Sequence, residues 1–129
     1  MTSGPEGVGG RPAVLVVDDD ESIRRVVRTV LEADGFDVVE AVDGPAALVV
    51  LDSSNGEGPE LVVLDIMMPG IDGIEVCRRV DHGRVKVVML SARDDADSRS
   101  RAEDAGADAY LSKPFSAIEL LDLLEELSK

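Results

Sequence analysis

The sequence predicts an α/β fold, a doubly wound parallel sheet of five strands flanked by five helices. Three observations predict it. Strand-length runs rich in Val, Leu and Ala recur at Ala13–Val17, Phe36–Ala41, Leu61–Leu64, Val85–Leu90 and Ala109–Leu111. Two of them, Ala13–Val17 and Leu61–Leu64, are unbroken in apolar character, the mark of strands buried on both faces. Helix-like segments separate the runs, and strict alternation of this kind needs right-handed crossovers between parallel strands.

Each element has its own justification. Ala13–Val17 is an unbroken, Val-rich strand. After Asp18-Asp19-Asp20, residues Ile23, Val26, Val27, Val30 and Leu31 recur at helical spacing, and Gly35 stops that helix. Asp43-Gly44-Pro45 opens a second helix over Ala46–Leu51, with Pro45 suited to its first turn. Ser53–Pro59 is a polar loop. Leu61–Leu64 runs directly into Asp65, and the turn residues Pro69-Gly70 and Asp72-Gly73 lead to a helix over Ile74–Val80. A polar helix spans about Asp94–Ala105 before Gly106, and Ser116–Leu127 is the last helix. In that helix Ala117, Leu120, Leu121, Leu123, Leu124 and Leu127 spread over a wider arc than a core stripe needs, with Ile118 beyond it; either Leu123 or Leu127 is left for a partner or a second copy, or the arc is a generous core face.

At 129 residues the chain suits one domain, here residues 13–129, preceded by a Gly- and Pro-rich flexible leader over 1–12. Hydrophobic residues make up 44% and aromatics 2%, so Val, Leu, Ile and Ala must build the core. The net charge of −14 repels nucleic acid and anionic membrane, which argues against either as a partner of this domain. The single cysteine, Cys77, excludes an internal disulfide and reads as a small buried apolar residue. No stretch is apolar enough to span a membrane and no signal core is present, so a cytoplasmic protein is expected. His82, in a polar Asp81-His82-Gly83 turn, is expected at the surface.

Open parallel sheets bind ligands beyond the carboxyl ends of their strands. There the sequence delivers Asp18-Asp19-Asp20 after the first strand, Asp65 after the third, Ser91 after the fourth, and Lys113 after the fifth. Carboxylates about 4 Å apart repel by about 4 kcal/mol at an effective dielectric near 20, so a fold keeps such a cluster where a cation neutralises it. All-oxygen ligands favour Mg²⁺, Mn²⁺ or Ca²⁺ over zinc, and few carboxylates plus waters suit Mg²⁺. A carboxylate beside Mg²⁺ can act as a nucleophile, with Lys113 and Ser91 placed to meet phosphoryl oxygens. Singly, each residue fits a blander role: helix cap, solvated lysine or charged loop. Their arrival at one sheet edge raises the chemical role above the bland one.

Four segments then resemble the receiver domain of two-component response regulators, over about residues 13–128. These are Val14–Asp20, Leu61–Gly73, Val88–Ala92 and Gly106–Phe115. The resemblance implies a flavodoxin-like (βα)₅ fold with strand order 2-1-3-4-5. It implies that Asp65 is the phosphoacceptor and that Asp19, Asp65 and the backbone carbonyl of Met67 bind Mg²⁺, with Asp18 acting through water. Three Asp in a row leave the register open; Asp18 and Asp19 are preferred because the family's pair follows its strand immediately. Asp20 is then a helix cap. Lys113 would contact the phosphoryl group across a cis Lys113-Pro114 bond, and Ser91 and Tyr110 would form a switch. Met67 and Arg93 would flank the site where family members tune phosphoryl lifetime.

The same resemblance implies that the chain catalyses only its own phosphorylation and dephosphorylation. The donor would be a sensor histidine kinase or a histidine phosphotransfer protein. Output would pass through the face of helix 4, strand 5 and helix 5, in a monomer or a phosphorylation-dependent dimer. Ala109 and Leu123 stand where receivers fused to winged-helix DNA-binding domains usually carry an Asp and an Arg, which puts that charged dimer in doubt and favours a stand-alone receiver or another output. The alternatives are a pseudo-receiver scaffold that is not phosphorylated and a receiver fragment of a larger transcription regulator. A haloacid-dehalogenase-type phosphatase would want Asp where Met67 stands, and a nucleotide or flavin binder would want a Gly- or Ser/Thr-rich loop where the acidic triplet stands.

Overall fold

The protein is described by a computed structural model over residues 12–52, 58–92 and 96–128. Its elements are β1 (Ala13–Val17), α1 (Glu21–Ala33), β2 (Asp37–Ala41), α2 (Gly44–Asp52), β3 (Leu61–Asp65), α3 (Gly73–Arg79), β4 (Lys86–Ser91), α4 (Ala96–Ala105), β5 (Ala109–Ser112) and α5 (Ala117–Leu127). All five strands pair in parallel in the order β2-β1-β3-β4-β5, as expected. Residues 1–11 of the expected leader, residues 53–57 of the Ser53–Pro59 loop, and Arg93 and Asp94 lie outside the described residues.

Boundaries differ from expectation where turn hydrogen bonds claim the end residue. Phe36 N donates to Leu31 O at 3.1 Å, closing α1 and delaying β2 to Asp37. Val85 N donates to Asp81 O at 2.9 Å, so β4 starts at Lys86 and runs on to Ser91. The caps follow from short polar side chains. Asp20 accepts from Ser22 N and Ile23 N, Asp72 from Glu75 N, and Ser116 from Ile118 N and Glu119 N. Gly35 and Gly106 take positive φ, 93° and 105°, beyond the ends of α1 and α4.

The core is split by the two-residue period of the strands. Leu15, Val17, Val62, Leu64, Val87 and Met89 meet α2, α3 and α4 through Ala47, Leu51, Ile74, Val76, Cys77, Ala102 and Ala105. Val14, Val16, Leu61, Val63, Val88, Leu90 and Leu111 face α1 and α5 through Val27, Leu31, Leu120 and Leu124. Each fully buried Leu or Val contributes about 1.5–3 kcal/mol, so the central strands dominate the apolar stabilisation.

Two surface assignments, Val26 and His82, are corrected, and the open choice for α5 falls to the generous core face. In α1 only Val27 and Leu31 are buried; Val26, placed on the apolar stripe by its spacing, is 58% exposed because the inner face is already filled. In α5 Leu123 and Leu127 pack against the core, and Ile118 at 70% exposure is the residue left outside; Ala117 is exposed too. His82 is half-buried, with Nε2 2.7 Å from the Cys77 carbonyl and its ring against Gly106, where a methyl group would fall 2.6 Å from Nε2. Cys77 is buried as expected; burial first and then Asp108 push its thiol up to about 11, which keeps it unreactive.

Glu40 joins α1 to the edge strand β2. Its two oxygens accept from Arg24 Nε at 3.0 Å and Arg28 Nη1 at 2.6 Å, and Arg28 also reaches Glu32 at 3.0 Å. The Arg28 hydrogen bond above all, with Arg24, holds the Glu40 carboxyl below its ordinary value of 4.5 despite partial burial. A depressed carboxyl contributes stability that is present above its ordinary value and lost as pH falls through the folded value. Glu40→Gln is therefore expected to lower stability at pH 7 by about 1 kcal/mol or less. The difference from the native chain should vanish below the carboxylate range, as read by urea denaturation across pH.

Candidate functional site

The strand order reverses at β1, whose neighbours are β2 and β3, and a crevice beyond the carboxyl ends is expected there. Asp18 follows the last residue of β1 and Asp65 is the last of β3, so parallel pairing of Val17 with Leu64 brings the two carboxylates side by side. Asp18 is 1% exposed and Asp65 4% exposed, while Asp19 points to solvent. One carboxylate oxygen from each of Asp18, Asp19 and Asp65 lies within 4.8 Å of the others.

Lys113 enters from the end of β5. Its Nζ lies 3.2 Å from Asp18 Oδ2 and 3.3 Å from Asp65 Oδ1. Its backbone N donates to Ser91 O at 2.7 Å, and the following Lys113-Pro114 bond is cis. Asp65 Oδ1 also accepts from Met67 N at 3.4 Å, and Asp18 Oδ1 accepts from Asp20 N at 2.9 Å. Gly73 packs on the Asp65 main chain so closely that a methyl group there would sit 2.3 Å from its carbonyl oxygen.

Electrostatics at the site are strained. Burial first, and then the Asp18 charge, push the Asp65 carboxyl up to about 6, against the opposing pull of Lys113. Burial pulls the Lys113 ammonium down, but Asp65 and Asp18 outweigh it and leave its value raised. One ammonium thus faces three carboxylates, an all-oxygen set short of positive charge. The donor set fits a hard divalent cation of the Mg²⁺ type.

Ser91 closes β4 and is 1% exposed; it pairs in register with Ser112 on β5. Tyr110, one pleat back on β5, is half-buried against the α2–α3–α4 side of the sheet, with the Arg99 guanidinium 4.5 Å from its ring centroid. Met67 directs its side chain to solvent, 57% exposed. Asp20 sits apart from the cluster as the α1 cap. The sequence had marked every side chain at this edge except Arg24, whose Nη1 donates to the Asp18 carbonyl at 2.7 Å. The faint signal for it is spacing: Arg24 lies one helical turn beyond the Asp20 cap.

The model of the response regulator receiver domain family matches residues 14–125. The chain belongs to this family. Receiver relatives include the response regulator MprA of Mycolicibacterium vanbaalenii, 44% identical over 116 residues, covering 88% of this chain and 49% of the relative. The transcriptional regulatory protein CseB of Streptomyces coelicolor is 43% identical over 109 residues, covering 84% of this chain and 45% of the relative. The chain thus spans about half the length of these curated relatives. Among solved structures, the Francisella response regulator 1452 receiver domain superposes with a TM-score of 0.82 at 34% identity, over 92% of this chain and 97% of that one. A CheY-like receiver domain protein from Methanospirillum hungatei superposes with a TM-score of 0.83 at 28% identity, over 91% and 93%. As a receiver domain the chain is not of an enzyme family in the usual sense. Among the described residues no helix is long and apolar enough to cross a membrane.

In the absence of a divalent ion, the buried charge of Asp65 is a burden on this receiver fold. Asp65→Asn is expected to raise the stability of the chain in EDTA by about 1–3 kcal/mol at neutral pH, the linkage value of its raised carboxyl. Urea denaturation of both proteins in EDTA measures it; equal or lower stability of the variant contradicts the account of the site.

Proposed function

We propose that this receiver domain accepts a phosphoryl group on Asp65 from the phosphohistidine of a sensor kinase or histidine phosphotransfer protein. The convergence of Asp18, Asp19 and Asp65 with Lys113 at the carboxyl edge of the sheet carries the proposal. A carboxylate oxygen of Asp65 attacks phosphorus, a P–O bond forms as the donor's P–N bond breaks, and the imidazole nitrogen leaves with the electron pair. The Lys113 ammonium keeps Asp65 ionised and then takes up the added negative charge on the phosphoryl oxygens. Asp18, Asp19, Asp65 and the Met67 carbonyl would hold Mg²⁺, with Asp18 acting through a water. When bound, Mg²⁺ supplies positive charge to the carboxylate cluster and to the phosphoryl oxygens.

Phosphorylation and its reversal are the only reactions assigned to residues 13–129, with residues 1–12 as a leader outside the domain. The Ser91 hydroxyl turns to the phosphoryl oxygens, and Tyr110 leaves its place under Arg99 for the space vacated. Helix α4, strand β5 and helix α5 then present a changed surface to an output module or protein, in a monomer or a phosphorylation-dependent dimer. The names of MprA and CseB support response to a signal and, for CseB, transcriptional output. Ala109 and Leu123, both partly buried against the core, stand where a charged pair would otherwise cross a dimer. The −14 charge supports the absence of nucleic-acid or anionic-membrane binding by this domain, and a cytoplasmic location is part of the same proposal.

Intact mass after incubation with acetyl phosphate tests the central claim. One phosphoryl adduct is expected with Mg²⁺, little or none in EDTA, and none in Asp65→Asn. An adduct that persists in the variant contradicts Asp65 as the acceptor; none in the native chain with Mg²⁺ favours a scaffold that is not phosphorylated.

A further inference from the structure

We propose that Arg24 is a positioning residue for the divalent-cation site, aimed by Glu40 and acting on the main chain of Asp18. The inference rests on the assignment of Asp18, Asp19 and Asp65 as the Mg²⁺-binding cluster.

Arg24 stands in α1 with its side chain only 12% exposed. Its Nη1 donates to the Asp18 carbonyl at 2.7 Å, and its Nε donates to Glu40 Oε1 at 3.0 Å. Glu40 is itself fixed from the other side by Arg28 Nη1, 2.6 Å from Oε2. The guanidinium fork is therefore held at two points, one on the edge strand β2 and one on the loop between β1 and α1. Arg25, its neighbour, points outward to Glu21 with both side chains over 70% exposed, at 74% and 73%. Arg24 alone of the pair is built into the fold.

What Arg24 grips is the peptide that joins Asp18 to Asp19. The rest of Asp18 is already fixed: its N donates to Ala41 O at 3.3 Å, Oδ1 accepts from Asp20 N at 2.9 Å, and Oδ2 meets Lys113. Holding the Asp18 carbonyl sets the plane of the next peptide, and that plane sets where the exposed Asp19 carboxylate departs. Loss of a group that orients a metal ligand costs about 10–100-fold in metal affinity.

Charge alone makes the opposite prediction. A guanidinium beside a cation site repels the cation, so its removal should tighten Mg²⁺ binding if Coulomb forces were all that mattered. Positioning predicts weaker binding on removal of the same charge, and the sign of the change separates the two.

Isothermal titration of the full chain with Mg²⁺, well below the unfolding temperature, provides the test, with thermal unfolding in EDTA recorded beside it. Arg24→Met is expected to weaken Mg²⁺ binding by about 10-fold. Arg24→Lys, which keeps one donor and the charge, should recover part of the loss. Glu40→Gln should weaken binding in the native background and add little to Arg24→Met. A role confined to stability would lower the unfolding temperature and leave the dissociation constant of the folded protein unchanged. Unchanged or tighter binding by Arg24→Met overturns the proposal, and if that variant does not fold, unchanged binding by Arg24→Lys does so. Additive losses in the double variant overturn the part given to Glu40. A native chain that takes no Mg²⁺ overturns the assignment of the carboxylate cluster, and the proposal with it.

Discussion

Two buried carboxylates that repel each other govern this structure. Asp18 and Asp65 stand at the ends of adjacent parallel strands, where the sheet gives them little water and no room to part. Buried like charges cost several kcal/mol and are retained only where something opposes them. Lys113 is the opposing charge within the chain, 3.2 Å from one and 3.3 Å from the other. The turn after β5 exists to deliver it: Lys113 N is tied to Ser91 O, and the chain then reverses through Pro114 into the Ser116 cap of α5. Gly73 gives the Asp65 main chain the space to sit where it does.

Much of this was legible in the sequence because the informative residues occupy strand ends. β1 and β3 are buried on both faces, so their runs are continuous and end abruptly at an aspartate. A side chain at a strand's carboxyl end has one place to go, and Asp18, Asp65, Ser91 and Lys113 could be located from topology alone. Helix surfaces carried less information. The 3.6-residue period allowed Val26 on the inner face of α1, but Val27 and Leu31 fill it, and a helix packed on one side of a sheet leaves the flanking position outside. The same period could not say which of Arg24 and Arg25 turns toward the β1–α1 loop, because that depends on Glu40 in a different strand. His82 misled for a related reason: its neighbours in sequence are polar, while its neighbours in space are the end of α3 and Gly106.

The two halves of the core are chemically distinct. The buried residues on one side of the sheet, under α1 and α5, are Val and Leu with Phe36 just before the edge strand. The other side mixes Ala, Met, Cys and Ile, and it is there that Ser91 and Tyr110 open onto the sheet's rim. β4 and β5 run side by side from Val88 opposite Ala109 to Ser91 opposite Ser112, so Tyr110 lies within β5 and Lys113 directly follows its last residue.

Tyr110 is also the only tyrosine in a chain without tryptophan. Its neighbour across the ring face is a charged guanidinium, and its surroundings are half wet and half apolar. The near-ultraviolet absorption and emission of this chain therefore belong almost wholly to one ring, on β5 beside Arg99 of α4. The molecule carries its own optical reporter, and a spectrum of the unlabelled chain follows a single side chain.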